Sequence, residues 1–166
     1  MPQPILTARL KLRPFVPGDA GDLFAIFSDP EVGRWVGGGH TTLDQSRDLI
    51  ETNRAHEERH GFGMWAVERG GALIGEAGVQ LLEKRGPEVE IGWVIARAAW
   101  GRGYATEAAG AWLDVAFGEL GLEEVLATVL PDNAASHRVA RRLGMEWSGR
   151  RFVHDAEHDV YVARAR

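Results

Sequence analysis

The stretch from Val89 to Ala108 constrains this chain more than any other. Val89-Glu90-Ile91-Gly92-Trp93-Val94-Ile95 is rich in β-branched and aromatic residues, the composition of a strand. Trp100-Gly101-Arg102-Gly103-Tyr104 then sets two glycines one residue apart. From Gly103 to Glu119 the pattern is helical, with Trp112, Val115, Ala116 and Phe117 on the buried side. Glycines between a strand and a helix let the backbone approach a ligand closely, and the helix amino terminus offers unpaired N–H groups. Together they suit an anion, most often a phosphate. A plain tight turn uses the same residues. The stretch is not a dinucleotide fingerprint, because the third glycine of G-x-G-x-x-G falls at Thr106. Nor is it a P-loop, because no Gly-Lys-Ser/Thr follows.

The flanking sequence predicts what surrounds this unit. Ala8 to Phe15 alternates with period two and reads as one strand. Pro17-Gly18-Asp19 breaks it, with Asp19 as a helix cap. Leu23, Phe24, Ile26 and Phe27 stripe a short helix ending near Asp29-Pro30. Gly37-Gly38-Gly39 reads as a flexible break, and Thr42 to His60 as a long polar helix. Phe62–Glu68 and Ala72–Leu82 form a hairpin around Gly70-Gly71, and Lys84 to Glu88 is a turn. Downstream come a strand at 125–130, a helix from Asn133 to Leu143 closed by Gly144, and strands at 146–153 and 159–163. Antiparallel runs joined by a crossover helix predict an α+β fold. Its central sheet is mixed, mostly antiparallel, of about seven strands, and flanked by helices. No linker or repeat divides the chain, so residues 1–166 are expected to form one domain.

Charge and cysteine content narrow the function. Asp plus Glu number 24 against 19 Lys plus Arg, a net charge of −5, the wrong balance for a broad nucleic-acid surface. The absence of cysteine excludes disulfides, thiolate metal sites and a cysteine nucleophile. No run approaches the roughly 18 apolar residues needed to span a bilayer. A soluble cytoplasmic protein, with no nucleic-acid or membrane partner, is the expectation.

A second strand-to-helix junction accompanies the first. Val129-Leu130-Pro131-Asp132-Asn133-Ala134-Ala135-Ser136 leads into the helix that ends at Arg141-Arg142-Leu143-Gly144-Met145. Four separated stretches in order then resemble the Gcn5-related N-acetyltransferase (GNAT) superfamily, in the branch that acetylates ribosomal-protein amino termini. They are Thr7 to Phe15; Ser28-Asp29-Pro30-Glu31-Val32; Glu90 to Ile95 with Trp100 to Ala108; and Asn133-x-x-Ser136 with Leu143-Gly144-Met145. The resemblance covers nearly the whole chain. It implies acetyl-CoA as cosubstrate and no metal. The family's Q/R-x-x-G-x-G/A loop falls on Trp100, Gly103 and Ala105. The amides of Gly101, Arg102, Gly103, Tyr104, Ala105 and Thr106 would then hold the pyrophosphate. Pantetheine would lie in a splay between the strand at 89–96 and the strand at 125–130. An amide near Val94 or Ile95 would polarise the thioester carbonyl, with Ala96 beside them in the cofactor cleft and Asn133 and Ser136 on the opposite wall.

Amide formation from a thioester needs a neutral amine, a donor to the carbonyl oxygen and a proton for the thiolate. No cysteine and no Ser-His-Asp signature are present, so direct attack in a ternary complex is expected. The wider family protonates the thiolate with a Tyr seven residues after the motif Asn; here that position is Ala140. The branch gives the role to the motif Ser, which points to Ser136, although a helix-capping role fits it too. Glu90 is the candidate base, with an Arg-paired strand residue as the alternative reading. Asp159 and His158 stand in reserve.

Other features compete. His56-Glu57-Glu58-Arg59-His60 fits the zinc-protease pattern H-E-x-x-H, but its flanks are polar and no third ligand is evident. His154 and His158 fit a substrate pocket better than a metal pair. Arg138, Arg141 and Arg142 form either a solvated helix face or, with Arg102, a cradle for the adenosine phosphates. Trp35 either lines the acceptor site or staples the glycine loop; Trp65, Trp93 and Trp112 are core candidates. The leading reading is an N-acetyltransferase acting on a primary amine, as a protein amino terminus or a small molecule, in a monomer or homodimer. The competing reading is a non-catalytic acyl-CoA-binding domain of the same fold.

Overall fold

A computed structural model describes residues 2–166. Its strands are β1 (Ile5–Leu6), β2 (Lys11–Arg13), β3 (Met64–Arg69), β4 (Ala72–Leu81), β5 (Val89–Ile95), β6 (Glu124–Val129), β7 (Glu146–Val153) and β8 (Ala156–Arg164). Its helices are α1 (Ala20–Phe27), α2 (Pro30–Gly33), α3 (Leu43–His60), α4 (Tyr104–Gly118) and α5 (Ala134–Arg142). One sheet runs through all eight strands in the order β1-β2-β3-β4-β5-β6-β8-β7. Every neighbouring pair is antiparallel except β5 and β6.

The sheet has one strand more than the alternation suggested. The stretch 8–15 is not a single strand. The chain reverses between β1 and β2, where the Leu10 amide donates to Thr7 Oγ1 (3.0 Å) and the Thr7 amide to the Leu10 carbonyl (3.0 Å). A threonine hydroxyl competing for backbone partners favours such a turn over continued extension. Asp19 does not cap α1 with its side chain. Its carboxylate turns back to take both terminal nitrogens of Arg13 (2.8 Å each) and the Val16 amide (2.8 Å). Burial alone would raise the Asp19 carboxyl, but Arg13 and the Val16 amide hold it below its ordinary value. Past α1, Asp29 accepts from the Glu31 amide (3.0 Å) and caps the extra turn α2.

The triple glycine is not a loose break. Gly38 N–H bonds the Gly33 carbonyl (2.9 Å) and His40 N–H the Phe27 carbonyl (3.0 Å), so the loop folds onto α1 and α2. A Cβ at Gly39 would stand 2.3 Å from the Phe27 oxygen, and its φ of +75° also requires glycine.

Alternation along the strands divides the core. Ile91, Trp93 and Ile95 face α4 with Trp65, Val67, Ala77, Val79 and Val125. Trp112 of α4 is fully buried there, edge-on to Trp65 at 4.8 Å between centroids. The other face carries Val94 and Ala96, packed with Phe15, Leu23, Ile26, Phe27 and Ile50 under α1 and α3. Further along, Val153 at the end of β7 packs with Leu82, Leu126, Val160 and Val162. The tip of the β7–β8 hairpin thereby reaches the β4–β5 turn, where Arg151 holds Glu88 through two bonds of 2.8 and 3.0 Å.

Candidate active site at the parted strands

β4 and β5 are paired continuously from Gly75↔Ile95 to Leu81↔Val89. β5 and β6 are in register only at Glu90↔Leu126. Beyond that pair the two parallel strands part, leaving a gap beside the carboxyl-terminal half of β5. This is the splay expected between 89–96 and 125–130.

The glycine turn closes one end of the gap. Trp100 anchors it, its indole N–H donating to the Ile95 carbonyl at 2.7 Å. Gly101 (φ +75°) and Gly103 (φ +81°) take left-handed conformations that favour glycine. Gly103 stands at the N-cap of α4, which no side chain caps, so the first amides of the helix keep their capacity to bind an anion. A staple from the amino terminus holds the turn. Arg9 donates to the Arg102 carbonyl (2.9 Å) and to Glu107 Oε2 (2.7 Å), and Thr7 Oγ1 donates to Glu107 Oε1 (2.6 Å). The Tyr104 ring is buried beneath the Arg9 guanidinium, 4.5 Å from the centroid, so only its backbone belongs to the turn. The Ala96 amide is already bonded to the Ile74 carbonyl (2.7 Å), and Val94, two residues earlier in the same ladder opposite Glu76, turns its amide to β4 as well, which leaves Ile95 as the candidate carbonyl donor on β5.

Across the gap, Asn133 Oδ1 accepts from the Ser136 amide (3.2 Å) and caps α5. The Trp93 indole N–H donates to Ser136 Oγ at 3.2 Å, joining β5 to α5 on the α4 face. Ser136 thus accepts with its oxygen and keeps its own proton free to donate. Trp93, predicted only as core, serves the site as well.

Glu90 lies three residues from Trp93, hence on the opposite sheet face. It is 5% exposed. Thr128 Oγ1 on β6 donates to Glu90 Oε2 (3.0 Å) and Gln80 Nε2 on β4 to Oε1 (3.3 Å). His154 Nε2, from the β7–β8 turn, lies 2.9 Å from Oε1. No arginine pairs with Glu90 among the described residues. Behind it, Lys84 bonds Gln80 and donates to Asn53 Oδ1 (3.3 Å), and Asn53 donates to Glu76 (3.5 Å). Burial pushes the Glu76 carboxyl up to about 7, against the pull of Lys84.

The remaining candidates fall elsewhere. Asp159 faces α5, where it takes the Trp147 indole (3.0 Å) and Arg150 (3.2 Å), and these bonds hold its carboxyl below the ordinary value. With His137, Arg141, Met145, Trp147 and Tyr161 it lines a cleft of about 390 Å³ that includes neither Ser136 nor Glu90. His158 is buried and bonded to the Ala156 carbonyl (3.0 Å). In the H-E-x-x-H segment, His56 Nε2 accepts from the Leu81 amide (3.1 Å) and Nδ1 bonds the Phe62 carbonyl (2.8 Å). Both ring nitrogens are engaged in the fold, and burial lowers this histidine's pKa. Arg138, Arg141 and Arg142 are exposed, and Trp35 lies under the Arg34 guanidinium at 4.5 Å. Among the described residues no helix is long and apolar enough to cross a membrane.

An open sheet parted at one parallel pair, with an uncapped helix amino terminus at the gap, defines an acyl-CoA-dependent acyltransferase fold. Residues 9–146 match the acetyltransferase (GNAT) domain, and the chain belongs to that family. It is 35% identical over 151 residues to YoaA, an uncharacterized N-acetyltransferase of Bacillus subtilis strain 168, covering 88% of this chain and 85% of that one. The crystal structure of an acetyltransferase from Agrobacterium tumefaciens superposes with a TM-score of 0.86 at 30% identity, over 99% of this chain and 95% of that one. RimL, a ribosomal L7/L12 alpha-N-protein acetyltransferase solved in complex with coenzyme A, gives 0.82 at 16% identity over 98% of each chain, a likeness of fold. The protein is therefore an acetyl-CoA-dependent acetyltransferase.

Proposed function

We propose that the protein moves the acetyl group of acetyl-CoA to a primary amine, on a protein amino terminus or a small molecule, by direct attack within a ternary complex. The observation that carries this reading is the gap itself, which has a hydroxyl donor on one sheet face and a carboxylate on the other. The amides of residues 101–106 hold the pyrophosphate, and pantetheine runs between β5 and β6 towards Asn133 and Ser136. The Ile95 amide polarises the thioester carbonyl. Ser136, with its oxygen held by Trp93 and its proton free, protonates the departing thiolate. Glu90 draws the proton away from the amine through an intervening group. The two proton transfers take place on opposite sides of the reacting carbon, which suits one-step transfer without an acetyl-enzyme.

Calorimetric titration with acetyl-CoA, with desulfo-CoA and NAD as controls, followed by an amine panel read by thiol release, tests the proposal. Micromolar binding of acetyl-CoA with turnover on an amine is the expected result. Binding without turnover on any amine would favour a non-catalytic acyl-CoA-binding domain, and no binding would overturn both readings.

A further inference from the structure

Glu90 is poorly placed to meet an amine itself. Its side chain is 6% exposed, and its two oxygens already take Thr128, Gln80 and His154. The His154 side chain is 36% exposed and lies over this carboxylate. The position of the imidazole is fixed from several elements. Its backbone amide donates to Glu83 Oε1 (2.9 Å) in the β4–β5 turn, and Arg151, three residues earlier, grips Glu88. His154 itself turns the chain at a φ of +50°. A carboxylate only accepts hydrogen bonds, so the nitrogen facing it, Nε2, carries the proton. Nδ1 is then left with its lone pair, and it makes no hydrogen bond among the described residues.

We propose that His154 is the general base of the acetyl transfer, with Glu90 as the positioning carboxylate behind it. This rests on the acetyltransferase reading above. Nδ1 takes one proton from the acceptor ammonium, and the imidazolium formed is balanced by Glu90. The freed amine lone pair forms the C–N bond, and the C–S bond breaks. The thiolate takes the Ser136 proton, and the second amine proton restores the serine. His154 later returns its proton to water, so an ammonium and acetyl-CoA become an amide, free CoA and a proton.

The charges around the ring suit this work. The hydrogen bond that His154 donates to Glu90 raises the His154 pKa above its ordinary value, burial opposes the rise, and Glu83 and Asp155 add to it. The His158 ring, 5.8 Å away and edge-on, is the other titratable group against it. A base titrating somewhat above an ordinary histidine is well matched to accepting a proton near neutrality.

The left-handed backbone at 154 permits a test that spares the fold, because glycine and asparagine both tolerate that conformation. With the best acceptor of the panel, His154→Gly is expected to lower kcat on the order of 100-fold while acetyl-CoA binding is retained. Added imidazole should restore turnover in His154→Gly, where a hole exists, and not in His154→Asn. Turnover of either variant close to wild type, or a loss in His154→Gly that imidazole does not repair, overturns the assignment. NMR titration of the His154 ring in the free protein gives a reading that needs no acceptor. An elevated pKa that falls in Glu90→Gln supports the pair, and a pKa at or below that of an ordinary histidine overturns it. Failure of the wild type to bind acetyl-CoA would instead overturn the underlying function.

Discussion

The gap between β5 and β6 is bounded differently on the two faces of the sheet. On the α4 face it meets backbone amides of the glycine turn and the side-chain bond from Trp93 to Ser136. On the opposite face it meets side chains drawn from β4, β5, β6 and the β7–β8 turn: Gln80, Glu90, Thr128 and His154. The difference follows from what each side receives. Under the proposed function acetyl-CoA is constant, and helix amides with glycine geometry would recognise its phosphates whatever the neighbouring side chains. The acceptor has no such constant group, so on the same reading its side would depend on side chains gathered from three strands and a turn. A side built from buried polar groups also carries a cost that the backbone-built side escapes.

The variants that would break or sharpen this contrast can be ordered by size. The largest effect concerns the buried carboxylate behind Gln80 and Lys84. Glu76 has a folded pKa of about 7 against 4.5 when unperturbed, so the folded chain keeps a proton that the unfolded chain releases. Its contribution therefore falls as pH rises from 4.5 through about 7, then stays constant. Glu76→Gln should abolish that fall and make the protein more stable at alkaline pH, by up to about 3 kcal/mol. Urea unfolding at acidic and alkaline pH measures it. Equal pH dependence in both proteins would mean that Glu76 is not buried as a carboxylic acid.

Next in size, Glu90→Gln should reduce kcat on the order of 100-fold with no change in acetyl-CoA affinity by calorimetry. A parallel loss of affinity would erase the division between the two faces. Ser136→Ala should lower turnover at least about tenfold, again at saturating acetyl-CoA; unchanged turnover would reduce Ser136 to a helix-cap residue. The smallest effect belongs to the staple. Arg9→Ala should weaken acetyl-CoA binding by about fivefold or less, the scale of a half-exposed ion pair, and leave kcat at saturation alone. A fall in kcat instead would show that the amino terminus reaches the chemistry.

The same contrast decided what could be read in advance. The glycine turn and the Asn133–Ser136 cap are local, and each is legible as a short run of residues, whereas the splay came only as what the family resemblance implies. The errors arose where a side chain found a distant partner. The local pattern at Asp19 suits a cap, but Arg13 captures it across a turn. Residues 8–15 alternate like one strand, but the Thr7–Leu10 turn takes their first residues. The triple glycine has the composition of a loose break, but a carbonyl of α1 packs against it. His154 was singled out as a pocket residue, yet nothing in its neighbourhood of sequence names Glu90, 64 positions away.

By itself the sequence determined the α+β class, most of the order of its strands and helices, and the strand leading into a glycine turn. Periodicity, β-branching and glycine are properties of neighbouring residues, and they act before any distant contact forms. Tertiary structure alone decided the polar cluster around Glu90. Strand parity placed Glu90 opposite Trp93, but only the closure of the β7–β8 hairpin over the sheet laid an imidazole on that carboxylate. A hydrogen bond between residues far apart in the chain is set by where two elements pack, and no local pattern encodes that distance.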